Sequence, residues 1–160
     1  MTTTGRPMTP KYRTLYCVVR SEQVYGLVVD TETDEPGYID SEFIADAPSR
    51  RERWPAVNTS LRVMVIGHSG DGRLILSARH SDLTLADTVT NVRAAMRVWQ
   101  TVEESGAEST AARDAFFRSP DAAALLRWAY SHTRGTSSRE LAQALLPHAP
   151  ETIKREFDPE

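Results

Sequence analysis

The hydrophobic residues of this chain repeat with two different periods, and the change between them near residue 83 is the strongest constraint on the fold. Up to about residue 80, apolar side chains alternate with polar ones in short runs bounded by turn residues, which is typical of β-strands. From Leu85 onward they recur every three or four residues, as on one side of an α-helix. A chain of 160 residues divided in this way is expected to form a β-rich domain followed by a helical one, an α+β protein.

The first half contains five short apolar runs, four of which alternate with polar residues. Their apolar positions are Leu15, Cys17 and Val19; Leu27 and Val29; Gly37, Tyr38 and Ile39; Leu61, Val63 and Val65; and Leu74, Leu76 and Ala78. The glycines of residues 67–72 predict a tight hairpin between the last two runs, and residues 45–59 form a long connection before the fourth. Because a closed barrel leaves no strand edge unpaired, this spacing predicts a five-stranded antiparallel OB-fold barrel over residues 11–83. Residues 1–10 are expected to be a flexible tail.

The second half predicts a bundle of four to five helices over residues 84–160. The first helix is expected to begin at a capping box of Thr84 and Asp87 and to run unbroken to Gly106. Further helices are predicted over residues 109–118, from Ser119 and Pro120 to near Gly135, from Ser137 to Pro147, and over residues 151–157. The segment around Gly135 has the spacing of a helix-turn-helix. It offers only Arg139 and Gln143 for reading DNA, so we do not expect that function.

Composition excludes several classes of protein. The apolar runs last about five residues, too short for the roughly 20 that cross a bilayer, and residues 1–10 have no apolar stretch that would direct secretion. With a single cysteine, Cys17, an internal disulfide is impossible, and we expect a cytoplasmic protein. The four histidines lack the spacing of a metal site and are expected at the surface. No motif indicates catalysis, so we expect neither an enzyme nor a cofactor or metal.

Four segments of the first half resemble a known family, the S-one domain, which is the RNA-binding OB module repeated in the ribosomal protein of that name. The segments are VYGLVVD at residues 24–30, GYIDSE at 37–42, LRVMVI at 61–66 and GRLILSAR at 72–79. The resemblance covers about residues 12–82, roughly half of the chain. It implies an RNA-binding barrel that acts at the ribosome or in another ribonucleoprotein.

The family's binding face departs from its usual pattern in this sequence. The family has two aromatics around the second strand, a histidine on the third strand, and an Asp and an Arg flanking the last hairpin. The corresponding residues here are Tyr25, Val28, Asp40, Ser69 and Arg73. Only Tyr25 and Arg73 keep the family's chemistry. Since base stacking needs aromatic faces and phosphates need cations, Val28 and Asp40 weaken the expectation of RNA binding.

The first functional hypothesis is nevertheless a non-catalytic RNA-binding module, in which tyrosines stack on bases and arginines neutralise phosphates. Its candidate binding residues are Tyr25, Tyr38, Arg50, Arg51, Arg53, Arg73 and Arg79. The arginines of residues 50–53 precede Trp54, whose favoured interpretation is structural, as a plug for one end of the barrel.

The alternative hypothesis is a protein–protein adaptor, regulator or immunity-type inhibitor. Between residues 30 and 46 the chain carries seven carboxylates and no Lys or Arg. Such a segment repels phosphate and suits a basic protein partner, unless it is merely a solvated loop. The candidate protein-binding residues are Asp30, Asp34, Glu35, Asp40 and Glu42. An enzyme built on the barrel is a minor third possibility, for which we identify no site residues.

Overall fold

A computed structural model describes residues 9–132 and 137–157. These residues divide into two compact units. The first contains residues 9–45 and 49–83, and the second contains residues 46–48 together with those from 84 onward.

The first unit is a closed barrel of five strands. The strands are β1 Thr14–Gln23, β2 Gly26–Thr31, β3 Pro36–Asp40, β4 Ser60–His68 and β5 Leu74–Ser77. They close in the order β1-β2-β3-β5-β4, with β3 and β5 parallel and the other pairs antiparallel. This is the OB-fold layout predicted from the sequence.

The alternating apolar positions fill the barrel interior. The buried side chains are Leu15, Cys17, Val19, Leu27, Val29, Ile39, Val63, Val65, Leu74 and Leu76. Short 3-10 turns at Ser41–Phe43 and Arg51–Arg53 lie in the long connection between β3 and β4. Trp54 follows the second turn, packs against this core and directs its indole N–H toward the carbonyl of Ser49 at 3.4 Å. Trp54 therefore covers the core, in agreement with the structural role that the sequence analysis favoured for it.

The second unit is helical. In the described part of the chain the helices are α1 His80–Thr88, whose first four residues belong to the first unit, α2 Val92–Ser105, α3 Thr110–Arg118, α4 Ala122–Ser131, α5 Ser137–Leu145 and α6 Glu151–Phe157. Trp99 lies at the centre of its core, with ring centroids 5.9 Å from Phe116 and 5.6 Å from Trp128. None of the described helices is long and apolar enough to cross a membrane.

The prediction of one unbroken helix from Thr84 to Gly106 was wrong. The chain is already helical from His80, so Thr84 lies inside α1 rather than at its start, and α2 begins after a break. Asn91 has extended backbone geometry, and its side chain accepts a hydrogen bond from the N–H of Ala94 at 3.1 Å, which caps α2. Asn competes well for backbone donors and so favours a new helix start over helix continuation. Gly106 does end α2, with φ of 86°.

Other helix boundaries agree more closely with the sequence. Ser109 caps α3 by accepting from the N–H of Ala112. Ser119 instead accepts from the N–H of Asp121 in a turn, and α4 begins three residues later than its predicted cap. The predicted end of that helix near Gly135 lies outside the described residues.

One histidine does not lie at the surface as expected. His132 is only 3% exposed at the end of α4. Its Nδ1 is 2.8 Å from the carbonyl oxygen of Trp128, and its ring lies 4.9 Å from that indole. A backbone acceptor provides a hydrogen bond for the imidazole, and an aromatic neighbour packs against its ring, so the side chain can be buried. These contacts are not visible in the sequence, which is why a surface position was predicted.

Candidate functional site

Two tyrosines, one from a turn and one from a strand, meet on the outside of the barrel. Tyr25 lies in the turn between β1 and β2 and is 50% exposed, and Tyr38 is the central residue of β3. Their ring centroids are 6.2 Å apart, and the rings are inclined at 81°. This edge-to-face arrangement is favourable for aromatic pairs.

Gly26 allows this approach. Its φ is 156°, and a Cβ added there would lie 2.1 Å from the carbonyl oxygen of Ile39. The N–H of Ser41 then donates to the carbonyl of Tyr25 at 2.8 Å, which fastens the turn to the end of β3. Only glycine lets the two backbones come this close, so Gly26 positions the Tyr25 ring beside Tyr38.

Arg73 completes the cluster from the hairpin between β4 and β5. Its guanidinium carbon is 5.3 Å from the centroid of Tyr38. Tyr25, Tyr38 and Arg73 together are called the tyrosine–arginine site below. The site combines two aromatic rings with a cation on the outer surface, which suits a planar, negatively charged ligand.

The hairpin holds Arg73 through a local hydrogen-bond network. Its N–H is 3.0 Å from Ser69 Oγ, and its Nε is 3.2 Å from a carboxylate oxygen of Asp71. The hydrogen bond from the Ser69 hydroxyl, with the neighbouring Arg73, holds the pKa of Asp71 below its usual value. Asp71 orients the guanidinium while offsetting part of its charge.

The two departures from the family pattern lie beside this site. Val28 pairs with Tyr38 across the β2–β3 ladder, where it adds apolar surface but no ring. Asp40 pairs with Gly26, and its carboxylate accepts from the N–H of Glu42 at 3.1 Å. That carboxylate therefore caps the Ser41–Phe43 turn.

The other predicted arginines form separate groups. The guanidinium of Arg79 is 4.4 Å from the centroid of Phe43, and its Nε donates to the carbonyl of Glu42 at 3.0 Å. Arg51 lies 5.9 Å from the ring of Trp54 and forms an ion pair of 2.5 Å with Glu22.

The side chains of Arg50 and Arg53 are exposed on either side of Arg51. Of the seven residues predicted to bind RNA, the structure thus brings three together at the tyrosine–arginine site, where Tyr38 contacts both Tyr25 and Arg73.

Several residues of the acidic segment already have structural positions within the barrel. Asp30 lies 3.4 Å from Arg20. Asp34 occupies a turn with φ of 66° and donates its N–H to the carbonyl of Thr31. Glu42 lies in the 3-10 turn that Asp40 caps.

Glu35 has several hydrogen-bond partners. Its carboxylate accepts from the N–H and hydroxyl of Thr9 and from the hydroxyl of Thr33. Partial burial raises the pKa of Glu35, but these hydrogen bonds and the nearby His68 outweigh it and leave the pKa lowered. His68 Nε2 in turn lies 2.7 Å from the carbonyl of Thr9, so Glu35 and His68 hold the start of the described chain.

The single cysteine of the chain lies inside the barrel and is not a reactive thiol. Cys17 is 2% exposed, and burial raises its pKa to about 11, so its thiol is protonated at neutral pH. No group of three or more His, Cys, Asp or Glu side chains within residues 9–132 and 137–157 could hold a metal ion.

Sequence reasoning missed two exposed residues of β1. Tyr16 is 59% exposed and Val18 is 42% exposed. They alternate with the buried Leu15, Cys17 and Val19, so the same period that predicts the strand places them on its outer face. The sequence signal that could have identified them is the presence of large apolar side chains at positions that the alternation assigns to the outer face.

Comparison with known proteins gives structural similarity only. A scan against protein-family models and a comparison with curated proteins find no match. Among solved structures, a complex of a/eIF2alpha, aDim2p and rRNA from Pyrococcus horikoshii matches at 14% identity and a TM-score of 0.44, over 78% of this chain and 62% of that one. GSP13 from Bacillus subtilis matches at 15% identity and a TM-score of 0.42, over 52% of this chain and 62% of that one.

The intact alpha subunit of aIF2 from Pyrococcus abyssi matches at 14% and a TM-score of 0.44, over 96% of this chain and 62% of that one. The chain thus spans about three fifths of the length of these structures. The OB-fold assignment rests on the strand order and pairing within the barrel itself.

Proposed function

We propose that this protein is a non-catalytic module that binds single-stranded RNA at the tyrosine–arginine site. The observation that carries the proposal is the contact of Tyr25, Tyr38 and Arg73 on the exterior of an OB barrel. The resemblance of residues 12–82 to the S-one domain supports RNA as the ligand.

The chemistry of the site suits unpaired bases. The half-exposed ring of Tyr25 offers a stacking surface, and stacking of a base on an aromatic ring contributes about 1–3 kcal/mol. Arg73 lies within reach of the backbone phosphate of a base stacked there. Because bases in a duplex are already stacked on each other, this mode selects single strands, loops or ends.

The acidic segment is a weaker basis for function. Asp30 is paired with Arg20, and Glu35 accepts three hydrogen bonds, so part of the segment serves the barrel itself. We therefore rank the binding of a basic protein partner below the binding of RNA as the function of this module.

The test is fluorescence anisotropy with labelled single-stranded RNA at about 50 and about 200 mM salt. We expect salt-sensitive binding that Tyr25→Ala weakens by about 5- to 100-fold and Tyr25→Phe largely retains. Arg73→Ala should also weaken binding. Arg97→Ala, which removes the same charge from an exposed position on α2, should not.

Binding that is absent at low salt from the folded protein would overturn the proposal. The next experiment would then be capture of a basic protein partner through the acidic segment. Binding that is equal in the wild type and both site variants would exclude the tyrosine–arginine site as the binding surface.

A further inference from the structure

The outer face of β1 carries an exposed apolar patch that packing does not explain. The patch consists of Tyr16 and Val18, with Arg62 beside them, and is called the β1 patch below. Tyr16 and Val18 are 59% and 42% exposed. A single exposed apolar residue is ordinary, whereas adjacent ones on one strand often mark a binding surface.

The strand register joins this patch to the tyrosine–arginine site. Tyr38 on β3 pairs with Val28 on β2. Val28 is two residues from Asp30, which pairs with Val18 on β1. Tyr16 follows on the same face of β1, so an apolar path runs obliquely over three neighbouring strands from Tyr38 to Tyr16.

The length of the path defines the ligand it could hold. With strands about 4.8 Å apart and residues about 3.3 Å apart along them, Tyr38 and Tyr16 are separated by roughly 16 Å. This distance corresponds to about five nucleotides at the roughly 3.4 Å spacing of stacked bases.

Arginine side chains lie at the start, the middle and the end of the path. Arg73 lies at its start, and Arg20 forms a pair with Asp30 at its middle, which offsets the charge of that carboxylate. At its end Arg62 pairs with Tyr16 in the β1–β4 register and donates to the hydroxyl of Thr14 at 3.5 Å.

One carboxylate opposes this arrangement at the far end. Glu32 accepts a hydrogen bond from the N–H of Tyr16. Its charge repels phosphate, so binding there requires the compensating charge of Arg62.

We propose that the β1 patch is a second base-stacking position, at which Tyr16 receives a nucleotide about five positions from the one at the tyrosine–arginine site. The inference rests on the proposed RNA binding and extends it. It sets a minimum ligand length, because a short oligonucleotide occupies one position and a longer one occupies both.

The test compares labelled oligouridine trinucleotide and nonanucleotide by anisotropy. For the wild type we expect the nonanucleotide to bind about 5- to 100-fold more tightly, as one further stacked base implies. Tyr16→Ala should remove most of this gain and leave trinucleotide affinity unchanged, whereas Tyr16→Phe should keep it. Val18→Ala should reduce the gain in part, with Val57→Ala, an exposed valine elsewhere, as the matched control.

A second measurement needs no variant. Nonanucleotides with 4-thiouridine at either end are photo-crosslinked to the wild type, and the attached residues are mapped by mass spectrometry. We expect one end to mark Tyr16 or its neighbours and the other to mark the tyrosine–arginine site.

The outcomes separate this inference from the proposed function. If the wild type binds neither oligonucleotide at low salt, both fail. If it binds, but Tyr16→Ala matches the wild type at both lengths and no crosslink falls on β1, the RNA does not cross β1. In that case only the second position is overturned.

Discussion

Arg73 holds its guanidinium carbon 5.3 Å from the ring centroid of Tyr38, although the two residues are 35 positions apart in the chain. The parallel pairing of β3 with β5 creates this contact, because it sets Tyr38 beside Ile75, two residues after Arg73. Tyr25 reaches the same ring from the β1–β2 turn, with the two ring centroids 6.2 Å apart. Closure of the barrel is thus what assembles the tyrosine–arginine site.

The salt dependence of RNA binding should report the role of Arg73. Each phosphate neutralised in a single strand contributes about −0.7 to the slope of log affinity against log salt. Arg73→Ala should therefore make the slope shallower by about that amount, while Tyr25→Ala should lower affinity at all salt concentrations without changing the slope. An unchanged slope in Arg73→Ala would show that its guanidinium contacts no phosphate.

Gly26 should be indispensable to the barrel. In Gly26→Ala the new methyl group would lie 2.1 Å from the carbonyl oxygen of Ile39, so β2 and β3 must separate locally. We expect a loss of more than about 1 kcal/mol in the free energy of unfolding, measured by urea denaturation followed by circular dichroism. Gly70→Ala is the control, because nothing lies within 4 Å of a Cβ there. Equal stability of the two variants would contradict the close approach.

Glu35 should make the stability of the barrel depend on acid pH. The pKa of Glu35 is lowered in the folded protein from 4.5, so the ionised form is the one that folding favours. Its contribution to stability is complete above about pH 5 and is lost as the pH falls through the folded pKa. Glu35→Gln should therefore unfold at a denaturant midpoint that changes less with pH in this range.

Glu104→Gln, which removes an exposed carboxylate of α2, is the control for Glu35→Gln and should follow the wild-type pH profile. The interpretation fails if Glu35→Gln and the wild type lose stability in parallel between about pH 5 and pH 3.

Trp99 should dominate the stability of the helical unit. It is 1% exposed and packs edge-on against Phe116 and Trp128. Trp99→Ala should cost about 3–5 kcal/mol because it leaves a large cavity. Within the described residues the indole N–H has no acceptor, so Trp99→Phe removes an unsatisfied donor along with some packing and should cost clearly less. Thermal unfolding of the three proteins measures the difference, and similar losses in both variants would contradict this account.

The sequence by itself determined the elements of this protein and most of their faces. Whether a residue such as Leu15 or Val19 is buried depends on a period of two that is local to its strand, so five strands and an interior could be predicted. Ser109 and Gly106 likewise act on their own helix ends through local hydrogen bonds and backbone conformation.

Only the tertiary structure decided how these elements combine. The stripe from Leu85 to Val102 keeps helical spacing across the break at Asn91, because α1 and α2 bury their apolar residues in the same core. The spacing of buried positions therefore does not reveal a break in the helix when the residues on both sides of it are buried in the same core. The contacts among Tyr25, Tyr38 and Arg73 join three segments distant in sequence, and they arise from strand pairing and barrel closure, which no local period encodes.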